Sequence, residues 1–355
     1  MLRALAGPCL LVLLAACAKT EPPSGPDASR PRAPSASPPS AAAQPAPSAA
    51  PVEPPPIADT SFRMPTAERI IAIGDIHGDV KAARNALKLG GAIDDSGKWV
   101  GGPLVVVQTG DQLDRGDDEP QILDLFARLK GEAKAAGGAL YALDGNHEVM
   151  NVQGDFRYVT EDGFHDFSDR HASEPVAHSL EALPIERRGR ATAFLPGGDM
   201  ARRLATQPIV IQVGDNLFVH GGLLEAHVRY GLGRINREAR EWMTGPPNSP
   251  APRSLLDQEA PIWTRAYSDG PPPADKCDEL GRVLTALSAK RLVVGHTVQK
   301  DGINSACSER VWRIDVGLSR FFGGRPSVLE IRGDQVRVLT AEPSAHPARG
   351  PQQDP

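Results

Sequence analysis

Arg69-Ile70-Ile71-Ala72-Ile73-Gly74-Asp75-Ile76-His77-Gly78 carries the first half of the fold. A short apolar run closed by Gly74 reads as a buried strand. Residues 80–89, with apolar positions at helical spacing, read as the helix that follows a loop. The pattern repeats downstream: residues 104–108 give a strand, 110–116 a glycine-bounded loop, and 119–135 a helix. Residues 140–143 give a third strand that stops before Gly145. Strands alternating with helices predict an α/β sheet whose chemistry gathers in loops beyond the carboxyl ends of its strands.

The second half is patterned differently. Residues 209–213 and 217–220 flank Gly214-Asp215-Asn216, a hairpin signal. Further strands are expected at 292–294, 311–315, 327–331 and 335–339. The predicted fold class is α/β, with two mixed β-sheets packed as a sandwich and flanked by helices, over a domain spanning 62–340. Residues 151–207 are polar, rich in Arg and His and without a strand pattern, so they read as an insertion over the active site.

Outside that domain the chain reads as non-globular. Met1-Leu2-Arg3 followed by the apolar residues 10–14 has the form of an export signal, too short to span a bilayer. It ends in Leu14-Ala15-Ala16-Cys17, which resembles a lipoprotein signal of residues 1–17, with lipid on Cys17; cleavage after Ala18 is the alternative. Either way the chain is expected outside the cytoplasm. Lys19 resembles sorting to an outer membrane facing the periplasm. Pro, Ala and Ser dominate residues 18–60, which cannot form a core and read as a disordered tether; 341–355 read as a disordered tail. Cys9 leaves with the signal and Cys17 takes lipid, so Cys277 and Cys307 remain as thiols in an oxidising compartment and are expected to pair. The 355 residues carry a formal net charge of -5, which argues against a nucleic-acid partner, because phosphate-backbone binding needs concentrated basic surface. A monomer is expected.

Three strand-end loops hold Gly74-Asp75-Ile76-His77-Gly78, then Gly110-Asp111-Gln112-Leu113-Asp114-Arg115-Gly116, then Gly145-Asn146-His147-Glu148. Two later strands end in His220-Gly221-Gly222 and Gly295-His296-Thr297. Each places a polar metal ligand beside glycine, which lets the backbone turn sharply and the ligands converge. A lone Asp beside Gly is more often a turn residue, and a lone His at a strand end is usually structural. All five motifs in this order are a different matter. Mixed carboxylate and imidazole donors suit Mn, Fe or Zn better than Ca or Mg.

The set resembles the calcineurin-like metallophosphoesterases and, within them, the phosphoprotein phosphatases, over residues 68–320. The resemblance implies two divalent metal ions: Asp75 and His77 on the first, Asp111 bridging, and Asn146, His220 and His296 on the second. It implies His147 as general acid, Asp114 as its orienting carboxylate, and Arg115 as a phosphate-binding arginine. Arg265 is the candidate for a second such arginine, with Arg234 and Arg237 in the same interval. Metal-activated water would attack phosphorus with no covalent phosphoenzyme. The stretch Ile314-Asp315-Val316-Gly317-Leu318-Ser319 departs from the eukaryotic Ser/Thr enzymes and looks like bacterial and Shewanella-like members, several of which favour phosphotyrosine. The expected substrate is a phosphorylated protein or a small phosphomonoester. A nucleotidase or dinucleoside polyphosphate hydrolase of the same fold is the nearest alternative; the latter resemble Gly-Asn-His-Asp where Glu148 stands here. A non-catalytic lipoprotein scaffolded by metals is the alternative from another class, and it has no need of His147.

Overall fold

The computed structural model describes residues 61–173 and 180–342. The expected signal (1–17), tether (18–60) and all but the first two residues of the expected tail lie outside the described residues. The elements run β1 (Arg63–Met64), β2 (Ile70–Ile73), α1 (Val80–Leu89), β3 (Val105–Gln108), α2 (Glu119–Ala135) and β4 (Ala139–Ala142). Four helices follow: α3 (Asn146–Gln153), α4 (Glu161–His165), α5 (Ile185–Phe194) and α6 (Asp199–Leu204). Then come β5 (Val210–Val213), β6 (Asn216–Val219), α7 (Glu225–Tyr230), α8 (Leu232–Thr244) and α9 (Ala274–Leu287). The chain closes with β7 (Arg291–Val294), β8 (Asn304–Ala306), β9 (Val311–Arg313), β10 (Ser327–Arg332) and β11 (Gln335–Thr340).

One sheet has the order β11-β10-β2-β3-β4 and the other β1-β5-β6-β7-β9-β8. Both are mixed: β2, β3 and β4 pair in parallel, as do β6, β7 and β9, whereas β10 and β5 enter antiparallel. The two-residue alternation of β2 shows why its sequence is apolar throughout. Ile70 and Ala72 point between the sheets with Val105, Val107, Phe218 and Val293. Ile71 and Ile73 point outward, against Ala83, Leu87, Ile122 and Phe126 of α1 and α2. A parallel strand buried on both faces has no position for a polar side chain.

The expected strands are all present, with ends shifted by one or two residues. Sequence pattern missed β1 and β8. The first has two residues, and the second, Asn304-Ser305-Ala306, is only half buried and has no apolar alternation. The segment 151–207, for which the sequence shows no strand pattern, folds into short helices over its described residues. Val152, Phe156, Phe164, Phe167, Phe194 and Leu204 join one core with Leu217, Val219, Leu292 and Val294 on the outer face of the six-stranded sheet. Its apolar residues are spread thinly among arginines, so no single helix shows a strong stripe.

Cys277, on α9, is bonded to Cys307 in the β8–β9 turn, with Cα atoms 5.2 Å apart. The bridge closes a loop, 30 residues apart in sequence, that contains His296. Reduction is expected to cost on the order of 3 kcal/mol of stability in the chain-entropy model. Denaturation of a C9S/C17S variant with and without reductant measures this, and two titratable thiols in the unreduced chain would contradict the bridge.

Candidate active site

The carboxyl ends of β2, β3, β4, β6, β7 and β9 meet at one edge of the sandwich, and every motif residue sits there. Asp75 and His77 follow β2; Asp111, Asp114 and Arg115 follow β3; Asn146 and His147 open α3. His220 directly follows β6, and His296 follows β7 after Gly295. The loops are laced together: the Ile76 and His77 amides both donate to the Asp111 carbonyl at 2.9 and 3.0 Å. Glu148 is a clamp, its carboxylate accepting from the backbone amides of Asp111, Gln112, Leu113 and Gly145 at 2.7 to 3.2 Å. A Cβ at Gly145 would overlap the Asp111 carboxylate, and one at Gly295 the Asp75 carboxylate. The backbone is held at positive φ at His77 (47°), Asp111 (56°), Asp114 (66°), Arg115 (66°) and His296 (67°), none of them glycine. Such conformations are unfavourable and persist where surrounding contacts over-determine them, as they do at functional sites.

Three imidazoles share one arrangement. His77 Nδ1 lies 3.1 Å from the Leu113 carbonyl, His220 Nδ1 2.9 Å from Thr109 O, and His296 Nε2 3.1 Å from Trp263 O. A carbonyl only accepts, so each of these nitrogens carries the proton and the other presents a lone pair. The freed nitrogens point inward. His220 Nε2 is 3.2 Å from Asp111 Oδ2, 2.9 Å from Asn146 Oδ1 and 3.1 Å from His296 Nδ1. His77 Nε2 is 3.8 Å from Asp111 Oδ2 and 4.0 Å from Asp75 Oδ2. Ligand atoms about 2.0 to 2.2 Å from one cation stand about 3 to 4 Å apart, so both groups fit a metal ion. A cation between His220 Nε2 and His296 Nδ1, 3.1 Å apart, would relieve the repulsion of facing lone pairs.

The electrostatics agree. Burial first, then Asp315 and Asp111, drives the Asp75 carboxyl well above the usual carboxylate range. Burial and the neighbouring His147 hold the His77 imidazole down to about 3, so it is neutral. His296 is likewise well below its ordinary value through burial, His220 and Arg265. His147 behaves differently. Burial opposes its charge, but Asp111 and the Asp114 hydrogen bond outweigh that and raise it to about 9. Its Nδ1 meets Asp114 Oδ2 at 2.5 Å, and its Nε2 stands 3.8 Å from Asp111 Oδ2.

Above the carboxylates lies a cavity of about 250 Å³, lined by His77, Asp111, Asn146, His147 and His296 together with Arg115 and Arg265. Arg265 Nη1 donates to the His296 carbonyl at 2.9 Å and to Thr297 Oγ1 at 2.7 Å. Arg234 is elsewhere, paired with Glu238, and Arg237 lines a separate pocket. No arginine described within 151–207 lines the cavity; Arg157 pairs with Asp155, Arg170 with Asp199 and Arg203 with Asp124. The residue that this segment contributes to the cavity is Tyr158. Sequence motifs missed Tyr158 and Phe322, which carry no motif, and Asn151, which the i,i+4 spacing from His147 on α3 does flag.

Buried carboxylates and neutral imidazoles converging at the strand ends of this sandwich define a metal-dependent phosphatase. The chain belongs to the calcineurin-like phosphoesterase family, whose sequence profile matches residues 68–300. It is 41% identical over 319 residues to Shewanella-like protein phosphatase 2 of Arabidopsis thaliana, covering 81% of each chain. It is 32% identical to Shewanella-like protein phosphatase 1 of Plasmodium berghei, covering 76% of this chain and 74% of that one. The fold is similar to that of the cold-active protein-tyrosine phosphatase of a psychrophilic Shewanella, with a TM-score of 0.59 at 24% identity over 78% of this chain and 82% of that one.

Proposed function

We propose that the chain is a dinuclear protein phosphatase leaning towards phosphotyrosine, lipid-anchored outside the cytoplasm. The observation that carries the chemistry is the contrast among the histidines: three donate to backbone carbonyls and free a nitrogen, whereas His147 is bonded to a carboxylate. Asp75, His77 and the bridging Asp111 would hold one cation; Asp111, Asn146, His220 and His296 would hold the other. Nitrogen and oxygen donors of this kind accept Mn, Fe or Zn. When bound, the cations supply Lewis-acid polarisation of water and of the phosphoryl group.

The remaining steps belong to side chains. Arg115 and Arg265 flank the cavity and neutralise phosphoryl oxygens, a task that suits the planar guanidinium fork. His147, its Nδ1 on Asp114, delivers the Nε2 proton to the departing oxygen. Aromatic rings surround this apparatus. The Arg115 guanidinium is 4.4 Å from the Tyr158 ring, 5.0 Å from Phe321 and 5.3 Å from Phe322, and Trp263 also lines the cavity. Walls of this kind favour an aryl over an alkyl leaving group by edge and face contacts with its ring. Val298 and Phe322 are shared with an adjoining cavity of about 820 Å³, which gives residues flanking a phosphorylated side chain a place to lie and favours a peptide over a nucleotide. The relatives' names support the protein-phosphatase reading, and the Cys277–Cys307 bridge supports an oxidising compartment.

Phosphotyrosine peptides are therefore expected to turn over faster than phosphoserine peptides of the same flanking sequence at matched concentration. Equal or faster release of phosphate from phosphoserine would remove the tyrosine preference, and exclusive turnover of nucleotides would remove the protein substrate.

A further inference from the structure

Behind the His147–Asp114 pair lies a hydrogen-bond network that no motif marks. The two oxygens of Asp114 are divided: Oδ2 faces His147 Nδ1 at 2.5 Å, and Oδ1 accepts from Asn151 Nδ2 at 2.9 Å. The same Asn151 nitrogen donates to the His147 carbonyl at 2.9 Å. On its other side, Asn151 Oδ1 accepts from Arg190 Nε at 2.9 Å. That contact fixes the amide, because a flipped Asn151 would turn its NH2 towards the guanidinium and its oxygen towards two acceptors. Arg190 donates from Nη1 and Nη2 to the two oxygens of Glu119 at 2.5 and 3.0 Å, and from Nη1 to Gly163 O at 2.9 Å. Glu119 returns to the start of the network, its Oε1 accepting from the Asp114 backbone amide at 2.6 Å, where φ is 66°.

Arg190 has no exposed surface and stacks over Phe194 at 4.5 Å and Phe167 at 5.4 Å. The side chain and the strained backbone of Asp114 are thus held from two directions by one buried guanidinium. A buried Arg–carboxylate pair contributes little net stability against a well-packed apolar replacement, so its geometry around Asp114 is the informative feature.

We infer that Asn151, Arg190 and Glu119 are positioning residues that lock Asp114, and through it the His147 imidazole, in the orientation for proton delivery. The inference rests on the reading of His147 as the general acid. It gives the segment 151–207 a second role besides covering a sheet: Asn151 on α3 and Arg190 on α5 aim the acid, and Glu119 at the start of α2 ties them to the β3 loop.

The test uses the full chain with Asn151→Ala, Glu119→Gln and Arg190→Met, measuring metal content, KM and kcat on p-nitrophenyl phosphate and on glycerol 2-phosphate. A misplacement of about 1 Å costs up to about 100-fold in a positioned reaction. Asn151→Ala should therefore lose about tenfold or more in kcat on the alkyl ester and less than about threefold on the nitrophenyl ester, whose leaving group needs no proton. KM and metal content should not change. Asn151→Asp should lose more, since it sets a second carboxylate against Asp114. Equal losses on both esters, or no loss on either, would overturn the inference. If Arg190→Met does not fold, Asn151→Ala and Glu119→Gln decide. His147→Asn is the control: if it shows no dependence on the leaving group, the acid reading fails and takes the inference with it. If it does and Asn151→Ala does not, the inference fails alone.

Discussion

Asp111→Asn should strip cations from both positions and lower kcat by at least about a thousandfold on every phosphate ester, because several kcal/mol of Lewis-acid stabilisation are lost together. Asp111 is where the two ligand groups meet. Its Oδ2 is 3.2 Å from His220 Nε2 and 3.8 Å from His77 Nε2, while its Oδ1 accepts from the His147 amide at 3.0 Å. Burial opposes ionisation, but the adjoining imidazoles, among which His147 carries the charge, leave its carboxyl well below the usual range, so it is the fixed negative charge of the site. The amide removes that charge and turns a donor towards at least one ligand position. Metal analysis and kcat on the purified variant check this, and two retained ions with near-normal turnover would contradict the bridging role.

His147→Asn should behave in the opposite way, retaining metal while losing activity selectively. The side chain is held by Asp114 and donates its backbone amide to Asp111, so its imidazole is not needed to assemble the ligands. Loss of a positioned acid costs about 100-fold to 10,000-fold where the leaving group needs the proton. An alkyl phosphate should suffer that loss and p-nitrophenyl phosphate much less. Asn146→Ala, one residue away, should lose metal and slow all esters alike, since Asn146 Oδ1 is 2.9 Å from His220 Nε2. His77, Asp111 and His147 also form a group whose ligand atoms lie within 4.8 Å of one another, so ligation by His147 is the competing role. Metal loss in His147→Asn to the extent seen in Asn146→Ala would establish that role instead.

The motifs were readable because each joins a buried strand to a glycine turn. Ile70-Ile71-Ala72-Ile73 is apolar at every position since one face meets the other sheet and the opposite face meets α1 and α2. Asp75 then follows where the strand must end. Glu148 was legible as a difference from Asp at the same position, and the structure supplies its reason: the longer side chain reaches four backbone amides. Arg190 was not legible as anything but one arginine among many. Its partner Glu119 is 71 residues away, and no local period links α5 to α2. The aromatic wall was hidden in the same manner, for Tyr158 and Phe322 come from loops 164 residues apart and meet only around Arg115. Local pattern identifies elements and motifs, whereas side chains that converge from separate elements are seen only once packing is known.

Metal content and phosphatase activity followed together through a chelator titration of the purified protein test the dinuclear site most directly. The expected result is about two divalent ions per chain, with p-nitrophenyl phosphate turnover falling as they leave and returning when Mn, Fe or Zn is restored. Turnover that survives complete removal of the ions would contradict a metal-dependent phosphatase, whatever the resemblance of its motifs.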